Sequence, residues 1–214
     1  MELVGTIRHD GNGGVLDDLA EPDDAAVWLA EHAGHFTGPA EHAPGASASA
    51  SPGPGPGPAA APPVLDAELH AEVIALRRAA RALFARAVSP GPASRADAHR
   101  LMPADEALVR LNAAAALDPV VPRLDWAADP GAPALVRPLS STADPRARLL
   151  AALARAVIEF LAGPQREQLR ACQAPRCVRY FVKAHGRQEW CKTSCGNRAR
   201  VARHYDRQRA GAEG

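Results

Sequence analysis

All four cysteines of the chain fall in its last quarter, at Cys172, Cys177, Cys191 and Cys195, in the order C-x4-C-x13-C-x3-C. Two close pairs divided by a short span is the form a four-thiolate zinc site takes. Zn²⁺ needs a tetrahedron of soft ligands, and each tight knuckle supplies two. The spacings are looser than C-x2-C, so other uses of the thiols must be weighed. Two disulfides would need an oxidising compartment, and Met1-Glu2-Leu3-Val4 has neither the basic start nor the apolar run of a secretory leader. A redox pair reads C-x-x-C, and neither pair does. The expectation is a structural zinc held by the four cysteines, with His185 and His204 as spare candidates the cysteines make unnecessary.

The surrounding residues give the knuckles a frame. Val178, Tyr180, Phe181 and Val182 read as a strand, Gly186 as a turn, and Glu189, Trp190 and Cys191 as the start of a return strand. A helix should follow Cys195, whose thiolate would then sit at the favourable end of the helix dipole. On that helix Val201 and Tyr205 share a face, expected to pack against Phe181 and Trp190. Arg200, Arg203 and Arg207 form a second stripe. This order is treble-clef-like. A region so short has too little core to fold without metal. It is therefore expected to pack onto the helical domain as a zinc-dependent module, and to unfold when zinc is lost while that domain stays intact.

The tetrapeptide Cys195-Gly196-Asn197-Arg198, with Trp190-Cys191 before it and Arg200 and Arg203 after it, resembles the CGNR zinc finger. In bacterial proteins that module follows a helical region called the ABATE domain, in a family of stress-induced transcription regulators. The opening of the chain resembles the start of that region: a strand ending in a Thr-containing segment, then an acidic helix bearing a Trp. Gly5 stands where the family commonly has Asn. Leu111-Asn112 fits a Leu-Asn pair the family often carries, and Asn112 is expected to bond a loop backbone. The resemblance implies a DNA-binding bacterial regulator.

The net charge of +1 hides an asymmetry. Acids dominate residues 1–35, where Arg8 is the lone Lys or Arg; Arg and Lys dominate from residue 170 onward. The second half of that asymmetry suits a nucleic acid or another acidic partner. No apolar run reaches transmembrane length, so a soluble cytoplasmic protein with no membrane partner is expected.

The fold class expected is α+β, mostly α-helical. Residues 1–165 should form a helical domain with a small antiparallel sheet, 170–209 the zinc finger, and 210–214 a disordered tail. Leu3 to Arg8 reads as a strand. Pro22 and Gly34 bracket a short helix with Val27, Trp28 and Leu29 inward. Residues 38–63, rich in Pro, Gly, Ala and Ser, read as a disordered insertion. Asp66 to Val88 is the clearest helix, with Arg77, Arg78, Arg81 and Arg86 taken as its solvated face. A second helix follows Pro103. Strands at 120–126 and 134–139 flank Asp129-Pro130-Gly131, and a helix runs from Pro145 to Ala162. A shorter helix, Gln165 to Ala171, leads to Cys172.

No catalytic constellation stands out: there is no phosphate-binding glycine loop, nucleophile elbow or zinc-protease motif. A non-enzymatic role is expected. DNA is the first partner expected, contacted by Arg198, Arg200, Arg203 and Arg207, with Lys183 and Arg187 from the hairpin. Arginine suits phosphate and guanine because its planar fork donates paired hydrogen bonds. The alternatives are a zinc-stabilised protein-interaction module and a small-molecule sensor acting through the N-terminal domain. A homodimer is compatible with each.

Overall fold

The computed structural model describes residues 1–10, 14–33, 63–95, 97, 101–129 and 131–212. The insertion expected at 38–63 lies outside these residues, save for Pro63. In chain order the elements are α1 (Glu2–Gly5), β1 (Ile7–His9), β2 (Val15–Asp17), α2 (Pro22–Glu31), α3 (Ala67–Val88) and α4 (Ala104–Ala116). Then come β3 (Val120–Asp125), β4 (Leu135–Ser140), α5 (Pro145–Ala162), a 3-10 turn (Pro164–Gln168), β5 (Leu169–Ala171), β6 (Tyr180–Val182) and α6 (Thr193–Ala212). The class is α+β and mostly helical. The strands form three separate antiparallel pairs, β1–β2, β3–β4 and β5–β6.

Helix α3 is the axis on which α1, α2, α4, α5 and β5 pack. Its start is set by Asp66, whose carboxylate accepts the Leu69 amide at 2.8 Å. Leu69, Val73, Leu76, Ala80 and Phe84 repeat at helical spacing and are buried. Ala79, Ala80 and Ala82 are buried too, and so many small side chains let the neighbouring helices come close. Helix α5 begins likewise, with Asp144 capping the Arg146 amide at 2.9 Å and Pro145 in the first turn.

Two of the four arginines read as a solvated face are core residues. Arg77 is 3% exposed and Arg81 2%, while Arg78 and Arg86 do face solvent. Arg77 donates to both oxygens of Asp17, at 2.6 Å from Nη2, and to the Thr6 hydroxyl at 3.0 Å. Arg81 pairs with both oxygens of Asp97 at 2.8 and 3.0 Å, and donates to the Val4 carbonyl at 2.9 Å. The two lie one turn apart on the inward face. Their carboxylate partners are too far away in sequence for helical periodicity to reveal.

Smaller corrections have similar causes. The strand expected over Leu3–Arg8 is a helical turn followed by a three-residue strand, because Leu3 and Val4 bury against α3 and the Thr6 hydroxyl donates to the Leu3 carbonyl. Val27 is exposed, while Ala25 and Leu29 face inward. Asn112 lies on the exposed side of α4. Gln165–Ala171 splits into the 3-10 turn and β5, since residues 169–171 pair with β6. Helix α6 runs through Ala212, into the tail expected to be disordered.

The finger packs on the helical domain through shared core residues. Leu169, Ala171 and Tyr180 belong to the main hydrophobic core. The Tyr180 ring meets Phe84 edge-on, with centroids 5.7 Å apart, and Arg81 stands 5.3 Å from its centroid. The Tyr180 hydroxyl donates to Asp97 at 2.8 Å. Arg81 and the Ser94 hydroxyl both donate to the Val178 carbonyl, at 3.2 and 2.8 Å. Two other carboxylates tie the N-terminal region together. Burial opposes ionisation of both Asp17 and Asp118, but hydrogen bonds, from Arg77 in one case and from Ser140 and Ser141 in the other, hold each below the usual aspartate pKa.

Two outcomes are expected. Arg81→Met leaves Asp97 buried without its cation and should cost about 3–5 kcal/mol in denaturant unfolding, whereas the exposed Arg78→Met should stay within about 0.5 kcal/mol. The aspartates have folded pKa values below their unfolded ones, so their stabilisation is full above the unfolded value and is lost as pH falls through the folded one. Asp17→Asn/Asp118→Asn should therefore be less stable at neutral pH and lose less stability than the parent between about pH 5 and 3. Thermal melts of both across that range make the comparison.

Candidate metal centre

The first knuckle is the loop of the β5–β6 hairpin. Register pairs Leu169 with Val182 and Ala171 with Tyr180, and the Cys172 amide donates to the Arg179 carbonyl at 2.9 Å. This ladder fixes both ends of residues 172–179. The turn inside is tight, with the Cys177 amide on the Ala174 carbonyl at 3.0 Å and Arg176 at φ 64°, a left-handed conformation costly for a residue with a Cβ. The return strand expected at Glu189–Cys191 does not form. Gln188 closes the 183–190 loop instead: its side chain accepts the Ala184 amide at 2.7 Å and donates to the Trp190 carbonyl at 3.0 Å. The second knuckle joins straight onto α6, so Cys195 sits in that helix's first turn.

The two knuckles bring the four sulfurs together. All lie within 4.8 Å of one another, with Cys177–Cys191 at 3.7 Å and Cys191–Cys195 at 3.5 Å. A tetrahedron with bonds of about 2.3 Å to sulfur has edges of about 3.8 Å. These separations match that edge, far outside disulfide length, and all four cysteines are free thiols. Neither His185 nor His204 belongs to the cluster. Cys172, Cys177 and Cys195 are buried, Cys191 half-buried, and Ala174, Phe181 and Trp190 pack around them. Gly196 makes room for the indole: a Cβ there would stand 3.1 Å from Trp190 Cδ1.

The electrostatics favour a cation at the centre. Thiols this close oppose one another's ionisation. The hydrogen bond to Cys177 pushes Cys172 up to about 11, and the same bond lowers Cys177. Cys191 is raised by its hydrogen bonds to Cys172 and Cys177, and by burial. A divalent ion supplies the charge that four thiolates need. Four cysteine sulfurs supply the full tetrahedral ligand set of a structural zinc site, where a catalytic site has three protein ligands and an open position.

The positions expected to meet nucleic acid divide into groups. Arg198 turns back on the metal site, with Nη2 3.2 Å from the Cys195 sulfur and Nε buried with no hydrogen-bond partner among the described residues. Arg200, Arg203 and Arg207 line one groove with Asp206. The Lys183 ammonium folds onto its own turn, donating to the Gly186 carbonyl at 2.7 Å, while Arg187 is exposed. Val201 and Tyr205 do not pack against the hairpin: they are 54% and 62% exposed. From Arg200 to Ala210 every residue but half-buried Ala202 is exposed. Helix α6 leaves the metal site as an exposed rod.

The model of the ABATE family, described as "Putative stress-induced transcription regulator", matches residues 1–164. The chain belongs to this family. The CGNR zinc finger model matches residues 168–208, so the cysteine cluster with its Trp190–Gly196 contact is that finger's metal centre. No curated protein sequence matches this ABATE-family chain. Among the described residues no helix is long and apolar enough to cross a membrane.

The purified protein is expected to carry one zinc, and Cys177→Ser to lose it. Protons compete with the metal for thiolate, so zinc should be released as pH falls. Because β6 is shared with the main core, the loss should reach beyond the finger. Hydrogen exchange is expected to quicken at Phe84 and Ser94 as well as across 172–199. Elemental analysis and exchange of wild type and variant read both effects.

Proposed function

We propose that this ABATE-family protein binds DNA through α6. The observation that carries the reading is a helix of twenty residues, anchored at its start by the metal centre and exposed from Arg200 to Ala210 save half-buried Ala202, with Arg200, Arg203 and Arg207 on one side. At about 100° per residue these three lie within about 60° of one another. A rigid row of guanidinium groups loses less freedom on meeting a run of phosphates than the same groups on a loop. Arg187 is the hairpin residue best placed by exposure to add a contact. Arg198 is assigned to the metal centre, where its cation offsets thiolate charge. No catalytic role is proposed.

One observation favours a second reading, a protein-interaction module. Val201 and Tyr205 are apolar, exposed and share a side of α6 distinct from the arginines. A helix laid in a partner's groove would use that side.

A salt titration separates the two. If α6 neutralises about three or four phosphates, log K for duplex DNA should fall against log salt with a slope near −3, by the rule of about −0.9 per contact. Arg203→Ala should weaken binding to all duplexes alike and flatten the slope by about one. Fluorescence anisotropy with a labelled duplex measures both. Identical curves for the two proteins would remove the stripe from the binding surface. Salt-insensitive capture of a protein, lost in Tyr205→Ala, would favour the second reading.

A further inference from the structure

A cleft of about 800 Å³ opens where the C-terminal ends of α3 and α5 meet the 3-10 turn and β5. Its apolar lining comes from Leu83, Ala87, Val88, Leu108 and Leu161. Leu83 and Val88 are otherwise core residues, so the floor is part of the packed body. Among the described residues its charged lining is Arg86, Arg166 and Arg170, with Glu167 the one acid. Arg170 already donates to the carbonyls of Glu167 and Leu169, at 2.8 and 2.7 Å, which fixes its guanidinium beside the cleft. Arg86 and Arg166 are exposed and form no ion pair among the described residues. Three cations against one carboxylate leave an excess of two positive charges above an apolar floor.

That combination selects a ligand class. The volume falls in the range of small-molecule sites, which are mostly apolar with a few charged groups fixing orientation. Exposed arginines at the rim supply planar forks that suit a carboxylate or phosphate. We propose that this cleft binds a small organic anion with an apolar body, the acidic head held by Arg86, Arg166 and Arg170 and the body lying on Leu83, Val88 and Leu161. Neither the metal centre nor the basic helix contributes to the cleft, so the site is independent of the DNA reading. It is not remote from the finger, however. Arg170 is two residues before Cys172 and lies opposite Phe181 in the β5–β6 ladder.

The test uses the zinc-loaded full chain and three probes followed by amide NMR shifts. Octanoate carries head and body, 1-octanol the body alone, and inorganic phosphate the charge alone. Octanoate is expected to shift the amides of Ala87, Gly91, Arg166 and Glu167 saturably, with 1-octanol at least about tenfold weaker, the size expected for losing one charge-assisted hydrogen bond. Phosphate should not displace octanoate at equal concentration. Arg86→Gln/Arg166→Gln, both at exposed positions, should weaken octanoate at least about tenfold. The proposal is overturned if octanoate gives no saturable shifts, if 1-octanol binds equally well, if phosphate alone displaces it, or if the double variant binds as wild type does. The comparison of probes on the wild type decides the matter even should the variant misfold.

Discussion

The Arg81–Asp97 pair sits where the two modules meet, and neither partner can be left alone there. An ion pair this deep is stable only when every remaining donor and lone pair is used, since desolvating two charges costs several kcal/mol each. The guanidinium therefore requires the Val4 carbonyl from the N-terminal turn and the Val178 carbonyl from the finger, and the carboxylate requires the Tyr180 hydroxyl. These partners come from two distant stretches of chain, Val4 from one and Val178 with Tyr180 from the other. The N-terminal turn, Arg81 on α3, Ser94 and Asp97, and residues 178–180 must arrive together, or a charge is stranded. These hydrogen bonds tie the two matched family regions together.

The metal centre closes the other side of the same hairpin. Strand β6 carries Tyr180 into the main core and Phe181 into the metal-centre core, because neighbours on a strand point to opposite faces. A three-residue strand thus has one face in each of two cores. The knuckle before it and the loop after it have little freedom left: one is pinned by the ladder, the other by Gln188.

Much of this was legible from sequence, for identifiable reasons. Helices α3, α4 and α5 have long apolar repeats with capping acids or prolines at their starts, and local signals of that kind do not depend on distant chain. The four cysteines were legible because tetrahedral coordination admits few alternatives at that spacing. What escaped was long-range. Arg77 and Arg81 look like surface arginines until Asp17 and Asp97 are brought to them. Residues 189–191 look like a return strand because nothing local says that β5 pairs with β6. Val201 and Tyr205 have the spacing of a packed face, but α6 points away from the hairpin and leaves that face in water. The cleft beside Arg170 had no sequence signature, since its lining comes from five separate elements.

The projecting α6 behaves mechanically as a lever clamped at one end. Its clamp is a cluster of four sulfurs plus the Trp190–Gly196 contact, and its free length from Cys195 to Arg207 is about 18 Å at 1.5 Å per residue. A rotation of about 10° at the clamp would carry Arg207 through about 3 Å, comparable to the length of a hydrogen bond. Arg200, closer to the pivot, would move less than half as far. Small adjustments of the β5–β6 hairpin are thus magnified along the helix, so the aim of the outer arginines is set by the body to which the metal site is fastened.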